Sequence, residues 1–132
     1  MIGLDTNILL RAVLDDDPVQ SPSARSLLQS FGEGRRGFVN TQVLMEFFWV
    51  LQTRYKLPRP LIARTMRTLL EVEHLEFEAL ETIGRALAMF ESKIADFPDA
   101  VIALRNVEFG ADTTFTFDRH AAMAIPSMEL LS

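Results

Sequence analysis

The sequence predicts an α/β fold in which a mainly parallel sheet is covered by helices on both faces. Short apolar runs of strand length alternate along the chain with segments of helical periodicity, and this alternation is typical of βαβ units. The 132 residues suit a single domain covering residues 1–132, and they are long enough to bury a core.

The five predicted strands are short apolar or alternating runs bounded by turn residues. They lie at residues 1–4 (MIGL), 37–40 (GFVN), 74–77 (HLEF), 113–117 (TTFTF) and 125–128. The last run is the least regular of the five. Because a helical segment follows each of the first three, consecutive strands are expected to run parallel.

The predicted helices are segments with apolar residues at a period near 3.6. They lie at residues 6–13, 22–31, 41–54, 61–70, 78–93 and about 97–109. Ser21 is predicted to cap the second helix, and Asp96 or Phe97 the sixth. The acidic turn DDDP ends the first helix. Trp49, on the strongly apolar third helix, is expected to pack in the core.

The chain contains no cysteine, which excludes a disulfide framework, a thiolate zinc site and a cysteine nucleophile. No basic leader precedes the first apolar run, and no apolar segment approaches the roughly 18 uninterrupted residues of a membrane span. We therefore expect a soluble protein located in the cytoplasm.

Charge is unevenly distributed along this acidic chain, whose net charge is −5. Residues 35–67 carry seven basic residues and one acidic residue, a net charge of +6, whereas residues 68–99 carry a net charge of −6. A basic segment of this kind can form a phosphate-binding surface. Ordinary charged helix faces explain the same pattern. The segment by itself therefore does not decide between a phosphate-binding surface and a solvent-exposed helix face.

Asp5 lies between two apolar segments in MIGLDTNILL. Asp, Thr and Asn are all common helix caps, because their side-chain oxygens accept a hydrogen bond from a free N–H of the first helical turn. The carboxyl ends of parallel strands are also the places where open α/β sheets bind ligands. Asp5 is therefore a candidate for capping, for ligand binding, or for both.

Three further carboxylates each occupy a position that a simple structural role can explain. Glu46 falls at the margin of the apolar face of the helix predicted at 41–54, where a side chain can reach solvent. Asp99 follows Pro98 in the first turn of a helix, where the helix dipole favours an acid. Asp118 ends the strand TTFTF and suits a turn.

Taken together, these four carboxylates indicate a metal site. In a parallel sheet, the carboxyl ends of the strands and the N-termini of the helices that follow share one rim. Carboxylates gathered there repel one another unless their pKa values rise or a cation binds. Mg²⁺ and Mn²⁺ prefer oxygen ligands, and one or two such ions can activate water for attack on a phosphodiester. The basic segment 35–67 would then bind the polyanion.

The sequence resembles the PIN-domain ribonucleases, and among them the VapC-type toxins of bacterial toxin–antitoxin pairs. The resemblance rests on GLDTNILLR, VLMEFFWVL, DFPDAVIAL and TFTFD, whose order and spacing cover nearly the whole chain. It implies a three-layer α/β/α sandwich with a central, mainly parallel sheet of four or five strands. It also implies an endoribonuclease that depends on Mg²⁺ or Mn²⁺, with one or two ions bound.

The acidic positions of the family fall on Asp5, Glu46, Asp99 and Asp118. By this resemblance, Asp5 and Asp99 are direct metal ligands. Glu46 and Asp118 are ligands that bind either directly or through water. The resemblance therefore assigns all four residues to catalysis.

Four neighbouring polar residues are expected to support this site. Thr6 and Asn7 would orient Asp5 and close its turn, and Thr116 would place a hydroxyl near the metal. DFPD offers two aspartates, of which the second matches the family better. Asp96 is therefore expected to support the residues that bind the metal, without binding the metal directly.

The family also implies partners, namely the RNA substrate, a second copy of the chain in a homodimer, and a cognate antitoxin that lays a helix or extended tail across the groove. The segment FFWVL is a candidate for that interface, with ordinary core packing as the alternative. A phosphatase of the haloacid dehalogenase type requires an aspartate where this chain has Asn7. A phospho-receiver domain requires an acid pair and a lysine that are not in place here. A PIN fold without catalysis, serving as a protein- or RNA-binding module, is the alternative function.

Overall fold

The computed structural model describes residues 1–131 in two compact units, the first comprising Met1–Leu80 and the second beginning at Glu81. Seven helices and five strands occur among these residues, and all strand pairs are parallel, so the predicted α/β class with a mainly parallel sheet is confirmed. The strands are hydrogen-bonded as a group of three in the first unit and a group of two in the second. The expectation of a single domain stays a prediction.

The first unit alternates strands with pairs of helices. Its elements are β1 (Ile2–Gly3), α1 (Thr6–Leu14), α2 (Gln20–Gln29), β2 (Gly37–Val39), α3 (Thr41–Thr53), α4 (Arg59–Leu70) and β3 (Leu75–Phe77). The sheet order is β1-β2-β3, with Gly3 opposite Phe38 and Val39 opposite Phe77. Parallel neighbours need a long crossover, and each helix pair provides one.

The core of the first unit is built mainly from the inward faces of its helices. Large side chains with at most 2% exposure are Leu9, Val39, Leu44, Phe47, Phe48, Leu51, Ile62, Met66 and Leu69. Within α3 and α4 they recur every three or four residues, which is the period of a helix with one buried face. Gly37 leaves room for this packing, because a Cβ there would lie 2.5 Å from the Phe31 ring and 2.8 Å from Leu75 Cδ1.

The second unit contains the remaining elements. They are α5 (Leu80–Glu91), α6 (Phe97–Glu108), β4 (Thr114–Thr116), α7 (Arg119–Ala124) and β5 (Met128–Leu130). β4 and β5 pair in parallel, with Thr114 opposite Met128. α7 connects the two strands and packs on β5. Asn106 Nδ2 donates to Thr114 Oγ1 (2.9 Å) and so joins α6 to β4.

The start of α2 differs from the prediction. The helix begins at Gln20, and Ser21 is not its cap but a fully buried residue within the first turn. Asp17 caps the helix instead, because its Oδ1 accepts hydrogen bonds from the N–H groups of Val19 (2.9 Å) and Gln20 (2.7 Å). The Ser21 hydroxyl instead accepts from the Asp17 N–H (3.3 Å). The acidic turn therefore ends one helix and starts the next.

Two boundaries in the later part of the chain also differ, and one helix there was not predicted. α5 begins at Leu80 rather than at Glu78, because Ala79 has a φ of 55° and lies in the left-handed region, which a right-handed helix cannot include. The sequence did not predict α7, whose six residues carry only one buried side chain and so have little apolar periodicity. The final strand lies at Met128–Leu130, later than the predicted 125–128.

Trp49 was expected in the core, and that expectation is wrong, because 57% of the residue is exposed. The other residues of FFWVL, which are Phe47, Phe48, Val50 and Leu51, are at most 6% exposed. α3 is apolar at most of its positions, so its sequence pattern indicates a buried helix without marking the outward face. No helix within residues 1–131 is long and apolar enough to cross a membrane.

Candidate active site

Three polar residues follow the carboxyl ends of the three strands in the first unit. Asp5 follows β1, Asn40 follows β2 and Glu78 follows β3. Asp5 and Asn40 are the N-caps of α1 and α3. This edge, which we call the carboxyl rim, is where open parallel sheets bind ligands.

Glu78 is an acidic residue of the carboxyl rim that the sequence analysis did not single out. Its Oε1 accepts hydrogen bonds from the Thr41 N–H (2.9 Å) and the Thr41 hydroxyl (3.2 Å) at the start of α3. The available signal was its place directly after the strand HLEF, which matches the place of Asp5 after MIGL. These contacts indicate a structural role for Glu78, since they connect the end of β3 to the start of α3.

Asp5 is exposed at the carboxyl rim and caps α1, as one of the two interpretations predicted. Its Oδ1 accepts a hydrogen bond from the Thr6 N–H at 2.7 Å. No group of the described chain donates to its Oδ2. One carboxylate oxygen is therefore used by the helix, and the other is available to a ligand.

Thr6 has a buried hydroxyl beside Asp5 that lacks a partner. The residue is 4% exposed, and its Oγ1 makes no hydrogen bond to any of residues 1–131. An unsatisfied buried polar group costs about 1–3 kcal/mol, so a ligand that bonded to it would be favoured. Asn7 is exposed, and its side chain makes no hydrogen bond to Asp5.

Glu46 lies in the second turn of α3 with its side chain exposed. It makes no hydrogen bond or ion pair with any other described residue. Glu46 is five positions after Thr41, so it lies about 7–8 Å along the helix axis from the carboxyl rim. Its carboxylate has no structural partner among the described residues.

Two of the acidic residues in the second unit also cap helices. Asp96 Oδ1 accepts from the Phe97 N–H (2.9 Å) at the start of α6. Asp118 Oδ1 accepts from the Ala121 N–H (3.0 Å) at the start of α7. Thr116, two residues earlier, holds this turn, because its hydroxyl accepts from the Asp118 N–H at 3.0 Å.

Asp99 is the third residue of α6 and is partly buried. The pKa of Asp99 is raised, first by burial and then by the negative charges of Asp96 and Asp118, while His120 acts in the opposite direction. The fold therefore brings these three carboxylates close enough to interact, and we call them the α6–α7 acidic cluster. Asp99 and Asp118, which are 19 positions apart in sequence, meet in this way.

A divalent cation fits the chemistry of these residues. Within either unit, the described chain holds no group of three carboxylate or imidazole side chains already arranged around one point for a metal ion. The donors are nonetheless carboxylate oxygens, which Mg²⁺ and Mn²⁺ prefer. Burial first, and then the charges of Asp96 and Asp118, raise the pKa of Asp99, and a bound cation would favour its ionised form.

The sequence profile of the PIN domain matches residues 2–123. The chain belongs to the PIN domain family. The match includes all four predicted acidic positions, and PIN domains are generally nucleases, hence hydrolases, which commonly use divalent metal ions. No curated protein matches this PIN domain significantly.

The acidic positions of this PIN domain are divided equally between the two units. Asp5 and Glu46 lie in the first unit, and Asp99 and Asp118 lie in the second. Beside the first pair lies the unpartnered Thr6 hydroxyl, and in the second pair burial and neighbouring charges raise the pKa of Asp99.

Proposed function

We propose that this PIN domain is a metal-dependent endoribonuclease that hydrolyses RNA phosphodiesters and acts as the growth-inhibiting toxin of a toxin–antitoxin pair. The observation that carries the nuclease is the gathering of Asp96, Asp99 and Asp118 in the α6–α7 acidic cluster, in a family whose members are generally nucleases. The toxin assignment rests on the four segments that resemble VapC-type toxins.

All four acidic residues are proposed as metal ligands. Asp5 and Asp99 bind Mg²⁺ or Mn²⁺ directly, and Glu46 and Asp118 bind directly or through water. One or two such cations offset the charge of the carboxylates and of the substrate phosphate, and they supply the means to activate water. The free Oδ2 of Asp5 and the unpartnered Glu46 carboxylate support these assignments.

The neighbouring polar residues keep these carboxylates in position. The Thr116 hydroxyl fixes the turn that presents Asp118, and Asp96 caps α6 and so fixes the turn that presents Asp99. The Thr6 hydroxyl is available to the substrate or to a coordinated water. Asn7 lies at the surface of the same turn, where it can contact RNA.

The proposed reaction is hydrolysis by in-line attack on phosphorus. Water forms a new P–O bond, the bond between phosphorus and the 3′ oxygen breaks, and the leaving oxygen takes up a proton. The products are a 5′-phosphate and a 3′-hydroxyl. No side-chain nucleophile is required.

The proposal includes a homodimer, a cognate antitoxin and a cytoplasmic location. Trp49 supports a protein partner, because a tryptophan that is 57% exposed on a helix is an apolar surface suited to an interface. Sedimentation of the purified chain, alone and mixed with a candidate antitoxin, tests the homodimer and the antitoxin separately.

The nuclease is tested by incubating a pool of structured RNAs with wild type and with Asp5→Asn, with and without Mn²⁺ or Mg²⁺. Asn caps helices about as well as Asp, so the variant keeps its fold while losing a charged metal ligand. We expect cleavage to require the metal and to fall by at least ~100-fold in the variant. Asp112→Asn is the matched control, since Asp112 is exposed and unpaired with any described residue.

The outcomes separate the enzyme from its alternatives. Equal cleavage by wild type and Asp5→Asn would indicate a contaminating ribonuclease and contradict the proposal. RNA binding without cleavage by any preparation, at every metal tried, would favour a PIN fold that serves only as a binding module.

A further inference from the structure

A cavity of about 370 Å³ opens between α1 and α2 in the first unit, and the proposed metal chemistry does not use it. The residues that matter for its chemistry are Asn7, Ile8, Arg11, Val19, Gln20 and Ser23. The wall contributed by α1 starts at Asn7, two positions after Asp5. The cavity is therefore continuous with the turn that carries a proposed metal ligand.

Arg11 forms a rigid part of this wall. Its Nε donates to Gln20 Oε1 (2.8 Å), and its Nη1 donates to Asp16 Oδ1 (2.9 Å). The Tyr55 hydroxyl donates to the other oxygen of Asp16 (2.9 Å). The guanidinium is thus held from two sides, and its planar group is a surface on which a nucleobase can stack.

The cavity also offers polar groups that are not used within the protein. The side chains of Asn7 and Ser23 make no hydrogen bond to any of residues 1–131. Ile8 and Val19 add apolar surface, and Val19 is 73% exposed. A flat plane, apolar walls and a few free donors and acceptors are the combination that binds an unstacked base.

We propose that this cavity binds one unpaired nucleobase of the RNA, next to the nucleotide whose phosphate would lie at the turn that carries Asp5. The inference rests on the proposed function and specifies its substrate as RNA with an unstacked base, in a loop or single strand. Arg11 is six positions after Asp5, so it lies about 9 Å farther along α1. Neighbouring nucleotides of one strand can span that distance.

The first test compares two exposed serines of α2. Ser23→Leu fills the cavity, whereas Ser26→Leu, its matched control, places the same side chain on the same helix outside it. The probes are single-stranded RNA octamers and the same octamers with one base removed at each position in turn. Binding is measured in an Asp5→Asn background, so that the RNA stays intact.

We expect one abasic position to weaken binding about tenfold in the reference protein, since a stacked base contributes that much. Ser23→Leu should bind intact and abasic RNA equally, and Ser26→Leu should behave like the reference. Circular dichroism melting of both variants checks that the fold is kept.

A second variant tests the stacking surface. Arg11→Lys keeps the positive charge but removes the planar group. We expect it to lose most of the tenfold preference for the intact base while its dependence on salt stays unchanged. A variant that weakened the structure alone would change the binding of both RNAs alike.

Failure of this inference is distinguishable from failure of the nuclease. Equal binding of intact and abasic RNA by the reference protein, or identical behaviour of Ser23→Leu and Ser26→Leu, would overturn the base site. Metal-dependent cleavage lost in Asp5→Asn would still support the nuclease in that case. Base-dependent binding without cleavage would support the cavity and count against the nuclease.

Discussion

Asp5, Asp96 and Asp118 each cap a helix with one carboxylate oxygen, Oδ1, while no described group bonds to the other oxygen. The two interpretations of Asp5 are therefore compatible, because a cap uses one oxygen and a metal needs only one. Asp99 differs from these three, since it is partly buried without a hydrogen bond of its own, and its pKa is raised by that burial and by the charges of Asp96 and Asp118. At the scale of residues, Asp99 is therefore the carboxylate whose ionisation is disfavoured by the fold.

The raised pKa of Asp99 predicts that Asp99→Asn stabilises the protein at neutral pH. A carboxyl whose pKa is higher in the folded state disfavours folding when ionised, so stability falls as pH rises from the ordinary value of 3.8 through the folded pKa. In EDTA, we expect the variant to melt at a higher temperature than wild type at pH 7. The difference should vanish near pH 3, and circular dichroism melting measures both.

Added Mn²⁺ provides the control for this prediction. A cation bound at Asp99 should raise the melting temperature of wild type more than that of Asp99→Asn, because only wild type keeps the ligand. Asp112→Asn should follow wild type throughout. A lower melting temperature for Asp99→Asn at pH 7 in EDTA would contradict the raised pKa of Asp99.

The strands of the first unit are only two or three residues long, and the central one depends on close side-chain packing. β2 is the central strand of its sheet, and it begins at Gly37, against the ring of Phe31 and the side chain of Leu75. Helix boundaries are instead set by local capping, and the hydrogen bonds to Asp17 at the start of α2 are an example. A strand of three residues has few hydrogen bonds, so one crowded side chain disturbs much of its pairing.

Gly37→Ala is expected to destabilise the protein by about 1–3 kcal/mol, because the added methyl group overpacks the space beside Phe31. Gly84→Ala is the matched control. Gly84 lies inside α5 with open space around its Cβ position, so alanine there should stabilise by about 0.5–1 kcal/mol. Urea unfolding of both variants measures the two changes, and equal effects would contradict the packing argument.

For the whole molecule, the distribution of charge matters more than its sum. The net charge of −5 disfavours a polyanion, whereas residues 35–67 carry a net charge of +6. Arg64 on α4 belongs to this basic segment, and Arg85 on α5 lies in the acidic segment that follows. Both side chains are exposed, and neither has a partner among the residues that the structure describes.

Arg64→Glu and Arg85→Glu change the net charge equally and therefore isolate the effect of location. If the basic segment binds RNA, Arg64→Glu should weaken RNA binding severalfold and reduce the slope of log K against log salt by about 0.7, the value for one contact to a single strand. Arg85→Glu should change neither much. Fluorescence anisotropy over a salt series measures both slopes, and equal effects of the two variants would exclude a localised surface.

The sequence by itself determined the alternation of strands and helices, the capping by Asp5 and Asp96, and the family, because periodicity and caps depend on residues only a few positions apart. Tertiary structure decided the burial of Ser21, the exposure of Trp49 and the bond from Thr41 to Glu78, 37 positions later. It also decided that the charge of Asp118 acts on Asp99. These outcomes depend on which distant segments pack together, and local patterns carry no record of that packing.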